Sequence, residues 1–194
     1  MIIYTVKVND NGTKTWYQDD KRHRIDGPAI ERADGTKYWF LNDKLHRIDG
    51  PAVEFPSGTK HWYQGGKLHR IDGPAIEWAD GSKEWYVDGK RHRIDGPASE
   101  RADGTKYWFL NDKLHRVDGP AVEFPSGTKH WYLDDKLHRV DGPAVEYVYG
   151  GKEWYLDGKC LTQAQWLEAV KPKVVSCVGK IVEVDGVKYK LVAA

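Results

Sequence analysis

His-Arg-x-Asp occurs six times in this chain of 194 residues, beginning at His23, His46, His69, His92, His115 and His138. Each of its polar residues could do chemistry. The order His-Arg-Asp occurs in the catalytic loop of protein kinases, but that chemistry also needs a Gly-rich loop, a paired Lys and an Asp-Phe-Gly, and the chain has none of them. Histidines at this period could ligate metal only if neighbouring copies converged. In adjacent hairpins they lie roughly 10 Å apart, and no Cys or carboxylate joins them at ligand spacing, so neither metal nor cofactor is expected. An active site is usually one constellation, whereas a residue needed once per unit belongs to the unit. The arginines keep a functional reading, because guanidinium forks bind phosphate and aromatic rings stack on bases.

The elements that position these residues follow from the period. All six motifs extend to His-Arg-(Ile/Val)-Asp-Gly-Pro-Ala and are 23 residues apart. Trp16, Trp39, Trp62, Trp85, Trp108, Trp131 and Trp154 keep the same period, each followed by Tyr or Phe. A constant period means stacked similar units, and this aromatic density favours strands. Asn42-Asp43, Gly65-Gly66 and Asp88-Gly89 have the composition of two-residue hairpin loops. Asp34-Gly35, Ser57-Gly58 and Asp80-Gly81 mark a second turn, and Asp49-Gly50-Pro51 predicts a bulge or bend.

If both turns are two-residue loops, register places Ile30, Trp39, His46 and Ile48 on one face. Glu31, Tyr38, Phe40, Leu45 and Arg47 take the other. The first face, with Trp39, Trp62, Trp85, Trp108, Trp131, His46, His69, His92 and His115, is expected to be the packed repeat core. The second varies between units and is expected to bind, along a strip of Tyr63, Arg70, Tyr86, Arg93, Phe109 and Arg116. Residues 31–63 and 100–132 are nearly identical and record a duplication of three units, so differences among neighbouring units carry more information.

With 30 basic and 29 acidic side chains, no global pull toward long nucleic acid or anionic membrane is implied. No apolar run suits a membrane span, the first residues do not read as a signal peptide, and Cys160 and Cys177 match no metal or redox spacing. A cytoplasmic setting is expected. Residues 1–159 read as the array, with an edge strand at 2–8, and residues 160–194 as a cap. The cap should hold a helix over about 162–171, with Thr162 and Gln165 at capping-box spacing, and then a hairpin about Asp185-Gly186.

The run "WYQGGKLHRIDGPAIEWADGSKEWY" resembles a MORN-type repeat, with the same period, aromatic pair, Gly-Lys turn, His, Gly and second turn. The resemblance covers about residues 12–171. His-Arg-(Ile/Val)-Asp-Gly-Pro-Ala replaces the usual His-Gly-x-Gly, which marks a divergent branch similar to arrays of tailed phages and giant viruses that end in a short helical cap. It implies an all-β, elongated, single-layer antiparallel meander, roughly 65 Å long at the usual strand spacing. The function it implies is non-enzymatic binding: a phage-encoded inhibitor of a host defence protein, or a trap for a small anionic nucleotide. The alternative is an assembly scaffold. A one-layer sheet also favours a homodimer, through an array face or the cap.

Overall fold

The computed structural model describes residues 3–171, 181–184 and 187–190. Its main element is a 16-stranded antiparallel meander that does not close into a barrel, flanked by two-stranded hairpins. It begins with β1 (Thr5–Val8), β2 (Lys14–Gln18) and β3 (Lys21–Arg22). In the first and last units the Trp strand is continuous, as in β2 and Lys152–Leu156. In the five units between, it is broken at Trp, for example into Lys37–Tyr38 and Phe40–Leu41. The outer halves then form separate hairpins such as Phe40–Leu41 with Lys44–Leu45.

Asn42 and Asp43 adopt φ of 50° and 64°, as a two-residue type I′ loop requires, and Phe40 pairs with Leu45 in the expected register. The second turn is one residue longer than expected. Arg32 N–H donates to Thr36 C=O and Gly35 N–H to Arg32 C=O, so Ala33, Asp34 and Gly35 form a three-residue loop with Gly35 at φ 88°. Ile30 therefore pairs with Tyr38, and Glu31 with Lys37. A slip of one residue exchanges faces. Ile30 joins Tyr38 and Phe40, and Glu31 joins Trp39.

Two rows run across the sheet in consequence. One alternates Lys and Glu without a break, from Lys14 through Glu31, Lys37, Glu54 and Lys60 to Lys152. Directly opposed opposite charges stabilise a ladder modestly. The neighbouring row alternates the buried Val53, Ile76, Ser99, Val122 and Val145 with the half-buried Tyr38, His61, Glu84, Tyr107 and His130.

The tryptophans of the 23-residue period are half-buried rather than fully packed. The tightest position is the alanine of each Asp-Gly-Pro-Ala: Ala29, Ala52, Ala75, Ala98, Ala121 and Ala144 are 0% exposed. Each alanine C=O accepts from the N–H of the Trp thirteen residues before it, as in Ala52 from Trp39 at 2.8 Å. The cap helix α1 (Gln163–Val170) has the expected capping box, Gln165 N–H donating to Thr162 Oγ1 and Thr162 N–H to Gln165 Oε1. Trp166 is buried against Trp154, ring centroids 4.5 Å apart, and its Nε1–H donates to Arg139 C=O. Leu167 is about half exposed. The tail pairs Val184 with Val187 and Val182 with Tyr189, while its turn and Pro172 lie outside the described residues.

Overpacking a closed site usually costs about 1–3 kcal/mol. Ala75→Leu should therefore lower the stability of the array by about that much, and by more than Trp85→Ala costs per atom changed. Chemical denaturation of both variants checks this; an unperturbed Ala75→Leu midpoint is incompatible with a sealed alanine site.

Candidate functional site

Each Asp-Gly-Pro bend is held down by its own arginine. Arg47 Nε donates to Asp49 Oδ1 at 3.0 Å, and its Nη1 donates to Pro51 C=O at 3.3 Å and to Glu54 Oε1 at 3.1 Å. Its guanidinium lies 4.2 Å from the centroid of the Trp39 ring. Arg24, Arg70, Arg93, Arg116 and Arg139 repeat every contact. Gly50 leaves room for this head: a Cβ there would sit 2.9 Å from Arg47 Cζ. Arginine side chains are only 19–23% exposed, while the aspartates they hold are 71–85% exposed. The hydrogen bond from Arg47 depresses the Asp49 carboxyl below its ordinary value, and Asp72, Asp95, Asp118 and Asp141 behave alike.

This geometry separates the residues of the expected strip. Arg70, Arg93 and Arg116 lie on Trp62, Trp85 and Trp108, not on the face opposite the tryptophans. Tyr63 and Tyr86 are half-buried and Phe109 is buried, each one residue beyond the Trp and so on the other side of its strand. That other side is filled from within. The His61 ring sits 5.3 Å from Phe55 and 5.5 Å from Trp78, and His130 lies 5.2 Å from Phe124. Tyr86 donates to Glu84 at 2.8 Å, and its burial, followed by that bond, raises its pKa.

The other repeated histidines join units. Nδ1 of His23, His69, His92, His115 and His138 meets the side chain of Asn42, Asp88, Asn111, Asp134 and Asp157, the first residue of the next two-residue loop. Where that residue is glycine, Gly65 N–H donates to His46 Nδ1 at 3.1 Å instead. Among the described residues no group of three or more His, Cys, Asp and Glu is placed to hold a metal ion, and no helix is long and apolar enough to cross a membrane.

What the bend presents to solvent is the residue between Arg and Asp. Ile25, Ile48, Ile71, Ile94, Val117 and Val140 are 60–87% exposed, against the expectation that Ile48 packs with Trp39. Between successive bends lie open grooves of about 550–680 Å³. In one, Arg93 to Pro97 form one wall, Arg116 to Asp118 the other, and Trp108, Leu110 and His115 the floor. The surface is therefore a ridge of aliphatic side chains and carboxylates, repeating roughly every 10 Å at two strands per unit. Its sequence signal is a β-branched residue inside a turn-forming Arg-x-Asp-Gly-Pro run, where strand alternation does not apply.

Two outcomes test this arrangement. Hydrogen bonds to a charged group and a cation–π contact together make Arg93→Ala cost about 2–3 kcal/mol, and Arg93→Lys, lacking the planar fork, should recover little of it. Full recovery in thermal melts of the lysine variant contradicts the fork geometry. The second concerns pH. Burial lowers the pKa of His61 and His130, with Glu84 and Glu153 opposing it, so the unfolded chain binds more protons than the folded one. Stability should be full above the ordinary histidine value of 6.5 and fall as pH drops through the lower folded value. The depressed aspartates add a second loss below 3.8. In His61→Phe/His130→Phe the upper decline should vanish from melting curves taken across this range.

No protein-family model matches the chain, and no curated protein matches it.

Proposed function

We propose that the chain is a non-enzymatic binding protein that takes its partner on the aliphatic ridge. The observation that carries this reading is the exposure of six β-branched side chains at one equivalent position per unit. Single exposed apolar residues are ordinary; recurrence of one at the same position of six successive bends, roughly 10 Å apart, supports a repeated contact surface. The row is built to hold its shape, because the arginine beneath each bend is fixed by three hydrogen bonds and a ring. The partner fitting it is a protein surface of apolar side chains flanked by Lys or Arg, since each Ile or Val stands beside an outward carboxylate. The resemblance to phage arrays supports a host protein, such as a defence factor, in this role. A small anionic nucleotide is less well served, because Nε and Nη1 of every repeat arginine are already engaged.

Ile71→Ser/Ile94→Ser/Val117→Ser should leave the melting temperature within about a degree or two of the parent, because exposed substitutions rarely move stability by more than ~0.5 kcal/mol. It should also lose partners that the parent chain retains from host lysate. Retention of the same proteins by the folded triple variant places binding elsewhere and leaves the scaffold reading.

A further inference from the structure

The two ends of the meander are finished differently. At the C-terminal end, α1 lays Trp166 against Trp154 and ties its Nε1–H to Arg139 C=O. At the N-terminal end, among the described residues β1 has β2 as its one neighbour in the sheet, and all four of its residues are exposed. The register gives the direction of its backbone groups. Val6 pairs with Trp16 and Val8 with Lys14. Trp16 N–H donates to Ala29 C=O, away from β1, while Asn9 N–H donates to Thr13 C=O, toward β2. Antiparallel pairs alternate between hydrogen-bonded and non-bonded, so Thr5 and Lys7 spend their N–H and C=O on β2, whereas those of Val6 and Val8 point outward. Natural sheets guard such an edge with proline, a bulge, a cover or a projecting charge. Here the strand is Thr-Val-Lys-Val without a break, and its one charge is drawn back over its own sheet, Lys7 Nζ lying 4.9 Å from the Tyr17 ring centroid.

We propose that β1 pairs antiparallel with β1 of a second copy of this chain, about a two-fold axis through Val6, to make one continuous sheet. A second copy is favoured because the edge is complementary to itself in this register. With Val6 opposite Val6, the outward groups of Val6, Val8 and Tyr4 all find partners, Val8 stands across from Tyr4, and Lys7 stands across from Thr5. The axis through Lys7 instead sets two like charges directly opposite, which is unfavourable. The axis through Val8 brings Asp10 of the following turn opposite Val6 and shortens the ladder. The pairing uses neither the ridge nor the cap, so it stands or falls apart from the proposed function.

The test uses the full chain. Sedimentation equilibrium from micromolar to near-millimolar concentration should show a monomer–dimer equilibrium. Val6→Pro should abolish it with an unchanged melting temperature, because that N–H has no partner among the described residues and edge strands tolerate proline. In a Cys160→Ser/Cys177→Ser background, oxidation should crosslink Val6→Cys into dimers and leave Lys7→Cys monomeric, since hydrogen-bonded cross-strand Cα atoms at about 5.5 Å are within disulfide reach. A monomeric parent chain across that range overturns the proposal, as does a Val6→Pro variant that still dimerises. Crosslinking of Lys7→Cys in place of Val6→Cys overturns the register.

Discussion

The fold depends on one arginine per unit. A single sheet of two-residue strands has no second layer to bury its faces against, and strands this short hold few ladder bonds. The bend after His-Arg therefore folds back over the tryptophan face, and the arginine fills the space a core side chain would otherwise take. Its stem packs, its planar head stacks on the ring, and its donors reach Asp, Glu and the Pro carbonyl, as Arg70 does with Trp62, Asp72, Glu77 and Pro74. The motif around it follows. Glycine leaves space for the guanidinium, proline supplies an acceptor without a donor to satisfy, and alanine fills the closed site beneath.

Units are joined by contacts that reach only the next unit, which is why the array can repeat without a global core. Besides the histidine links, Thr59 Oγ1 accepts from Ala79 N–H, and Ser82 Oγ accepts from Ala102 N–H. These bonds tie one three-residue turn to the following one. The histidine link survives glycine at position 65 because it also runs through the backbone: the N–H of Asp88, Asp134 and Asp157 donates to Nδ1 of His69, His115 and His138, as that of Gly65 does to His46. This explains why loop residues drift between units while the histidine does not.

Period, strands, both turn positions and the C-terminal helix with its capping box were legible in the sequence because each is set locally: by spacing, by φ requirements and by capping chemistry. Register was legible at Asn42-Asp43, where the two-residue loop fixes it. It was not legible at Asp34-Gly35, because Ala-Asp-Gly serves a two- or a three-residue loop equally well in composition, and only the Arg32–Thr36 bond decides. That single residue moved Glu31 to the tryptophan face and made the Arg–Glu contact possible. The expected binding strip failed for a different reason: after His46 the chain leaves the hairpin register, Arg47 N–H donating to Tyr63 C=O, and the repeat arginines turn over the tryptophans. The strip combined Arg70, Arg93 and Arg116 with Tyr63, Tyr86 and Phe109, which stand on opposite sides of the sheet.

Variation between units also has a different meaning from the one its pattern invited. The varying row of Tyr38, His61 and Glu84 changes together with what lies beside it: Arg32 over Tyr38, Phe55 and Trp78 around His61, Tyr86 on Glu84. It is variation under mutual packing. The constant row of Ile and Val contributes little to folding, since it stays in water, yet the clamp beneath holds every copy in one pose. A partner engaging this row meets the same chemistry at each step, so its affinity grows with the number of steps it spans and needs no strong contact at any one of them.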